Sequence, residues 1–222
     1  MYLHNVVKEI DDALPRPPFA RENGSLLMLA GLPGAGKSSI VAGLLKKLPA
    51  LVVSTDNVRT LLRSQPTYTA AERMLVYEVC YAVIELRLRE GQRVIFDGSN
   101  YLAARRARLR QLAWRVGAPL AVCYVQASQK VVQERLQKRN SGERRPGDLS
   151  DADWAVYKWM VEAQEPIVGH HLILDTTNSS PDELADQLYD YWLNEEAKAA
   201  SNLNLQSPSW ARQLGRAVDP GG

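Results

Sequence analysis

Short apolar runs alternate along this chain with longer stretches whose apolar positions recur at helical spacing. The strand-like runs are Leu26–Ala30, Leu51–Ser54, Arg93–Phe96, Leu120–Val125 and Leu172–Leu174. Helical patterns follow each run: Lys37–Leu48; Asn57–Arg63 with Ala70–Glu90; Leu102–Val116; Gln129–Arg139 with Asp151–Glu162; and Pro181–Asn194. Strands separated by helical crossovers come out parallel and need helices on both faces to cover them. The expected class is α/β: three layers around a mainly parallel five-stranded sheet. The segment Ala70–Glu90 is apolar almost all round, with Glu78 and Glu85 on one face, as suits a helix buried on most sides.

The ends read differently. Residues 1–24 are expected to form a polar leader, reaching the first strand irregularly through Pro15, Pro17, Pro18 and Gly24. From about Ala200 the chain turns rich in Ser, Asn, Gln and Pro, and 200–222 is expected to be a flexible tail. Trp210 and Leu214 are at helical spacing within it. That leaves a single domain over 25–199.

Composition narrows the partners. A formal net charge of +2 in 222 residues is too small for wholesale nucleic-acid binding. Cys80 and Cys123 lie in apolar stretches and read as buried, reduced thiols. No cationic start followed by an apolar run marks a signal peptide, and no apolar run approaches the roughly 18–20 residues of a membrane span. The expectation is a cytoplasmic protein with no membrane partner.

The chemistry begins where the first strand ends. Residues 31–39 read GLPGAGKSS, the phosphate-binding P-loop pattern in its strand–loop–helix setting. Glycines let the backbone wrap a phosphate, and successive N–H groups with the positive end of the next helix favour the anion. Gly31, Pro33, Gly34, Ala35, Gly36, Lys37, Ser38 and Ser39 are therefore the expected binding residues for ATP. Lys37 should reach the β- and γ-phosphates, and the Ser38 hydroxyl should ligate Mg²⁺. The fold is accordingly a P-loop nucleoside triphosphate hydrolase/kinase fold with a helical lid.

Three further places supply charged groups. Asp56 follows the second strand, with Arg59 one helical turn on; a carboxylate there can orient or deprotonate an acceptor hydroxyl, and an Arg can hold an anion on it. Taken alone, the pair reads equally as Asp56 capping the helix and Arg59 at the surface. Asp97 ends the third strand and is placed to orient Mg²⁺, usually through water. Of Arg105 and Arg106, which flank the buried stripe of the following helix, one should point to the cleft; Arg108, Arg110 and Arg115 read as a solvated face. The stretch 135–146, RLQKRNSGERRP, crowds cations around Gly142, as a phosphate-clamping lid over about 139–150 requires. Arg139 and Arg144 are the candidates for meeting the transferring charge, with Arg145 beside them. Ser150 with Asp153 reads as a capping box for the next helix. His4, His170 and His171 show no partner spacing, and Trp154, Tyr157 and Val161 read as a core stripe.

Over about Leu26 to Tyr191 the chain resembles the P-loop kinases related to the kinase domain of phage-type polynucleotide 5′-hydroxyl kinase, with zeta-toxin-like kinases more distant. The resemblance rests on GLPGAGKSS, STDNVR, VIFDGSNYLAARR, and QKRNSGERRP followed by DLSDADWAVYKWM. It implies Asp56 as general base, Arg59 as a ligand of an acceptor phosphate and a lid arginine on the transferring phosphoryl group. Gly142 and Glu143 alter the lid spacing, so Arg139, Arg144 and Arg145 share the claim, and the chain leaves no room for a phosphatase half. The function implied is an ATP-dependent kinase acting on a hydroxyl, of a nucleic-acid end or nucleotide first and of a sugar or amino sugar next. The alternative is an ATPase switch with no acceptor beyond water.

Overall fold

The structure is a computed structural model, and it describes residues 2–62, 67–142 and 152–201. Five strands form one sheet: β1 (Ser25–Ala30), β2 (Leu51–Ser54), β3 (Arg93–Asp97), β4 (Leu120–Gln126) and β5 (Leu172–Asp175). Every pairing is parallel, in the order β2-β3-β1-β4-β5. Each expected strand is present to within a residue at either end. The helices are α1 (Tyr2–Ala13), α2 (Lys37–Leu45), α3 (Thr55–Leu62), α4 (Ala70–Arg89), α5 (Ala103–Val116), α6 (Gln129–Asn140), α7 (Trp154–Ala163) and α8 (Pro181–Ser201).

The pleat of β1 sorts the core into two layers. Leu26 and Met28 face one way, joined by Phe96 of β3 and by Val76, Cys80 and Ile84 of α4. Leu27 and Leu29 face the other way, onto Ile40 and Leu44 of α2 and Leu188 and Trp192 of α8. All six β1 residues are buried, as expected of a central parallel strand covered on both faces. A third, smaller cluster lies over the carboxyl edge, where Leu32 meets Val132 and Leu136 of α6 and Tyr157 and Met160 of α7. Two polar ties fix α8: Trp192 Nε1 donates to Ser25 Oγ at 2.7 Å, and Arg93 binds Glu196 through two bonds of 2.8 and 2.9 Å.

The N-terminal stretch departs from the irregular leader. Residues 2–13 are helical, and only 15–24 are irregular. Val6, Val7, Ile10 and Leu14 form an apolar stripe at helical spacing that packs on the α4 side of the core. A buried ion network locks it there. Arg87, with no exposed surface, pairs with Asp11 at 2.6 Å and Glu90 at 3.2 Å, and Arg16 bridges the same two carboxylates. Two smaller corrections concern helix starts. Helix α3 begins at Thr55, so Asp56 lies in its first turn, and Asp153 is the cap of α7, accepting from Val156 N at 2.9 Å. The expected capping residue Ser150 lies outside the described residues, as do Trp210, Leu214 and nearly all of the 200–222 tail. Among the described residues no helix is long and apolar enough to cross a membrane.

Both cysteines are buried and free. Burial pushes the Cys123 thiol up to about 12 and pushes Cys80 up as well, so neither holds an appreciable thiolate fraction near neutrality. A disulfide reagent at pH 8 should titrate no thiol in the folded protein and both in guanidinium chloride. Asp11→Ala leaves Arg87 buried with half its counter-charge, and should cost about 3 kcal/mol in a urea titration.

Candidate active site

The P-loop begins where β1 emerges at the carboxyl edge of the sheet, beside the point at which strand order reverses. Two of its glycines are demanded by geometry. Gly31 has φ 148°, and a Cβ there would lie 2.3 Å from the Val125 carbonyl oxygen of β4. Gly36 has φ 98° at the N-cap of α2, and its Cβ would stand 3.1 Å from Thr176 Cγ2.

The loop's carbonyls are taken up by surrounding groups. Lys37 Nζ donates to Gly31 O at 2.8 Å and Leu32 O at 3.3 Å. Arg135 of α6 donates to Gly34 O at 3.2 Å, and to Thr176 through its hydroxyl and carbonyl oxygens at 2.7 and 2.9 Å. Thr176 Oγ in turn donates to Ala35 O at 2.7 Å. Ser39 N donates to Gly36 O at 3.2 Å, turning the loop into α2, and Pro33 is half-buried at its crest. Arg135 was expected among the lid cations, not as a brace of the P-loop, and no role was assigned to Thr176; each acts on a segment some hundred residues or more distant, which no local spacing reveals.

Burial lowers the Lys37 ammonium from its usual value, opposed by the charges of Asp97 and then Asp56; the charge of Arg139 adds to the lowering. Lys37, Asp56, Asp97 and Arg139 therefore share one electrostatic neighbourhood at the end of the sheet. Ser38 Oγ lies 3.4 Å from Asp97 Oδ2, and Asp97 is level with Ser54 in the β2–β3 register. A hydroxyl and a carboxylate are hard oxygen donors, and this sparse pair beside a phosphate-binding loop fits Mg²⁺, which takes few protein ligands and leaves the rest to phosphate and water. Among the described residues no group of three or more His, Cys, Asp or Glu offers a fuller metal cage.

Asp56 and Arg59 come together at the end of β2. Arg59 Nη1 binds Asp56 Oδ1 at 2.9 Å, its Nε binds Glu72 Oε1 at 3.1 Å, and its guanidinium carbon lies 5.0 Å from the centroid of the Tyr68 ring. Arg59 is 8% exposed, which excludes the surface-residue alternative. Glu72 was not singled out from the sequence, because its partner Arg59 lies 13 residues away in a different helix. Thr69 caps the helix, accepting from Glu72 N at 3.2 Å, but the Glu72 carboxylate is directed to Arg59 and Thr67.

The remaining cations divide. Arg106 is fixed in the framework: it donates to the carbonyls of Asn100, Tyr101, Glu165 and Pro166. The Arg105 guanidinium carbon lies 3.8 Å from the Tyr77 ring centroid, and its Nη1 donates to the Tyr77 hydroxyl. Arg108 and Arg115 are not merely solvated; they pair with Glu78 and Glu85 of α4, and Arg110 donates to Val168 O. Arg144 and Arg145, with most of the expected lid, lie outside the described residues. Of the aromatic stripe, Tyr157 is buried, Trp154 stacks on it at 4.9 Å, and Val161 is exposed. His170 has a partner, Glu195 at 3.5 Å.

Comparison with known proteins bears on what this constellation belongs to. A family model described as an AAA domain matches residues 26–167. The adenylyl-sulfate kinase of Myxococcus xanthus is 34% identical over 136 residues, covering 60% of this chain and 74% of that protein. A probable adenylyl-sulfate kinase of Aeropyrum pernix is 27% identical over 173 residues, covering 76% of this chain and 92% of that protein. In fold, the chain superposes on the Mycobacterium tuberculosis APS kinase CysC, solved in complex with AMPPNP and APS, with a TM-score of 0.59. Identity there is 22%, over 77% of this chain and 98% of that one. These relatives do not single out the phage-type polynucleotide kinases within the wider group. The chain belongs to the AAA-domain family, as a P-loop kinase related to the adenylyl-sulfate kinases.

Proposed function

We propose that the protein transfers the γ-phosphate of ATP to a hydroxyl of a small anionic acceptor, with adenylyl sulfate the first candidate. The observation that carries this is the Asp56–Arg59 pair, 2.9 Å apart at the end of β2, on the same sheet edge as Lys37, Ser38 and Asp97. A nucleotide switch needs the loop and a metal; it has no use for a second carboxylate joined to a buried guanidinium beside them. The named relatives favour a small molecule, and the nucleic-acid 5′-hydroxyl finds no support among them.

In this reading the acceptor hydroxyl sits against Asp56, which receives its proton as the oxygen attacks the γ-phosphorus. The bond from that phosphorus to the β–γ bridging oxygen breaks, and ADP leaves with the charge. Arg59 holds an anionic group of the acceptor and so aligns the hydroxyl for in-line attack. Lys37 lies along the β- and γ-phosphates, and Arg139, with Arg144 as the other candidate, meets the transferring group from the lid side. Ser38 and Asp97 would hold Mg²⁺, which would neutralise phosphate charge.

The test is transfer of labelled γ-phosphate to a panel of adenylyl sulfate, gluconate, an amino sugar and a 5′-hydroxyl oligonucleotide. Label in adenylyl sulfate is the expected result. Label only in free phosphate sinks the kinase reading in favour of an ATPase, and label on the oligonucleotide alone restores the nucleic-acid acceptor. Asp56→Asn should lower kcat by about 10²–10⁴-fold while leaving ATP affinity within about twofold; equal turnover by variant and wild type removes the proposed base.

A further inference from the structure

Arg59 has two carboxylate partners, and the reaction outlined above uses only one of them. Its Nη1 is bound to Asp56, and its Nε is bound to Glu72 at the start of α4. Glu72 is 7% exposed, and is itself held by its neighbours: Oε2 accepts from Thr67 N at 2.6 Å and Thr67 Oγ at 2.5 Å. The Tyr68 ring lies over the guanidinium, on a residue with left-handed φ of 53°. One carboxylate thus fixes Arg59 directly and also fixes the turn that carries its aromatic cover.

The hydrogen bonds from Thr67 hold Glu72 below the usual carboxylate range, so it stays ionised throughout neutral pH. Two carboxylates flanking one guanidinium leave the trio with a net single negative charge, where Asp56 and Arg59 alone would cancel. The planar fork of an arginine is directional, so fixing Nε fixes the plane in which both Nη groups lie. Asp56 is bound to one of those groups. Its own exposure is greater: the Asp56 side chain is 35% exposed against 5% for that of Glu72. The buried end of the chain therefore orients the accessible end.

We propose that Glu72 is a positioning residue for phosphoryl transfer: anchored by Thr67, it sets the plane of Arg59 and through it the aim of Asp56. This rests on the kinase reading of Asp56 and Arg59, and carries it from a pair to a three-residue relay that links α4 to the acceptor side of the site. Glu72 touches no reacting atom in this scheme. Its effect is confined to the acceptor half of the reaction, because Lys37, Ser38 and the loop carbonyls are held by other groups.

The test uses the full chain, with ATP and adenylyl sulfate or whichever member of the acceptor panel wild type phosphorylates. Wild type, Glu72→Gln, Glu72→Ala, Arg59→Ala and the Glu72→Ala/Arg59→Ala double variant are compared, each first shown to be folded by thermal melting. Glu72→Ala should raise the acceptor KM and lower kcat, for a combined loss on the order of 10- to 100-fold in kcat/KM, with the KM for ATP unchanged. Glu72→Gln keeps an oxygen for Arg59 Nε and should recover part of that loss, and it carries the test alone if the alanine variant does not fold. The double variant should be no worse than Arg59→Ala, because both substitutions break the same relay. Losses that multiply, or an ATP KM that rises in step with that of the acceptor, overturn the relay and leave Glu72 a structural residue. Wild type that labels no acceptor overturns the kinase reading itself and the relay with it, a result distinct from active wild type with an indifferent Glu72.

Discussion

A loop that turns its amide N–H groups toward a phosphate must direct its carbonyl oxygens elsewhere, and buried carbonyls need partners. Much of the architecture around residues 31–36 answers that requirement. Lys37 takes Gly31 O and Leu32 O, Arg135 takes Gly34 O, and Thr176 takes Ala35 O. These groups come from the start of α2, the middle of α6 and the residue after β5. The loop is thus shaped by the strand it leaves and equally by two segments that reach it only once the sheet is complete.

The same logic explains how arginine is used. Several of the described arginines serve the framework: Arg87 under α1, Arg93 against α8, Arg106 across four carbonyls, and Arg108 and Arg115 between α4 and α5. A guanidinium presents several donors in one plane, so it can join elements whose apolar faces alone would leave polar atoms unsatisfied. Arg59 is likewise held in the framework, by Glu72 on one side and Asp56 on the other, at the carboxyl edge of the sheet.

The sheet and the P-loop were legible in the sequence because their signals are local. Strand runs bounded by turn residues, and a fixed spacing of glycines before Lys37, need no knowledge of the fold. What stayed hidden had one of two causes. Arg135 and Thr176 act across a large sequence separation, and their neighbours carry no pattern that pairs them. Helix α1 was visible but admitted a blander reading, as a polar leader, and Glu72 carries no spacing that pairs it with Arg59. Asp56 and Arg59 were named from their place after the second strand, their spacing and the resemblance, yet only the burial of Arg59 excludes a surface role. Arg105 and Arg106 are adjacent in a helix, and choosing between them required the carbonyls of residues 165 and 166, which arrive from beyond the lid stretch.

All five strands run the same way, and the residues of the candidate site lie at or just past their carboxyl ends: Gly31 after β1, Asp56 two residues beyond β2, Asp97 closing β3, Thr176 following β5. The sheet's hydrogen-bond register is therefore also the scale on which the chemistry is laid out. Ser54 beside Asp97 and Met28 beside Phe96 are steps on one ruler. A one-residue slip in β3 would exchange the side chains it gives to the two core layers and carry Asp97 about 3.3 Å along the strand in the same movement. Packing in the interior and the placing of these edge residues are therefore set by one hydrogen-bond ladder.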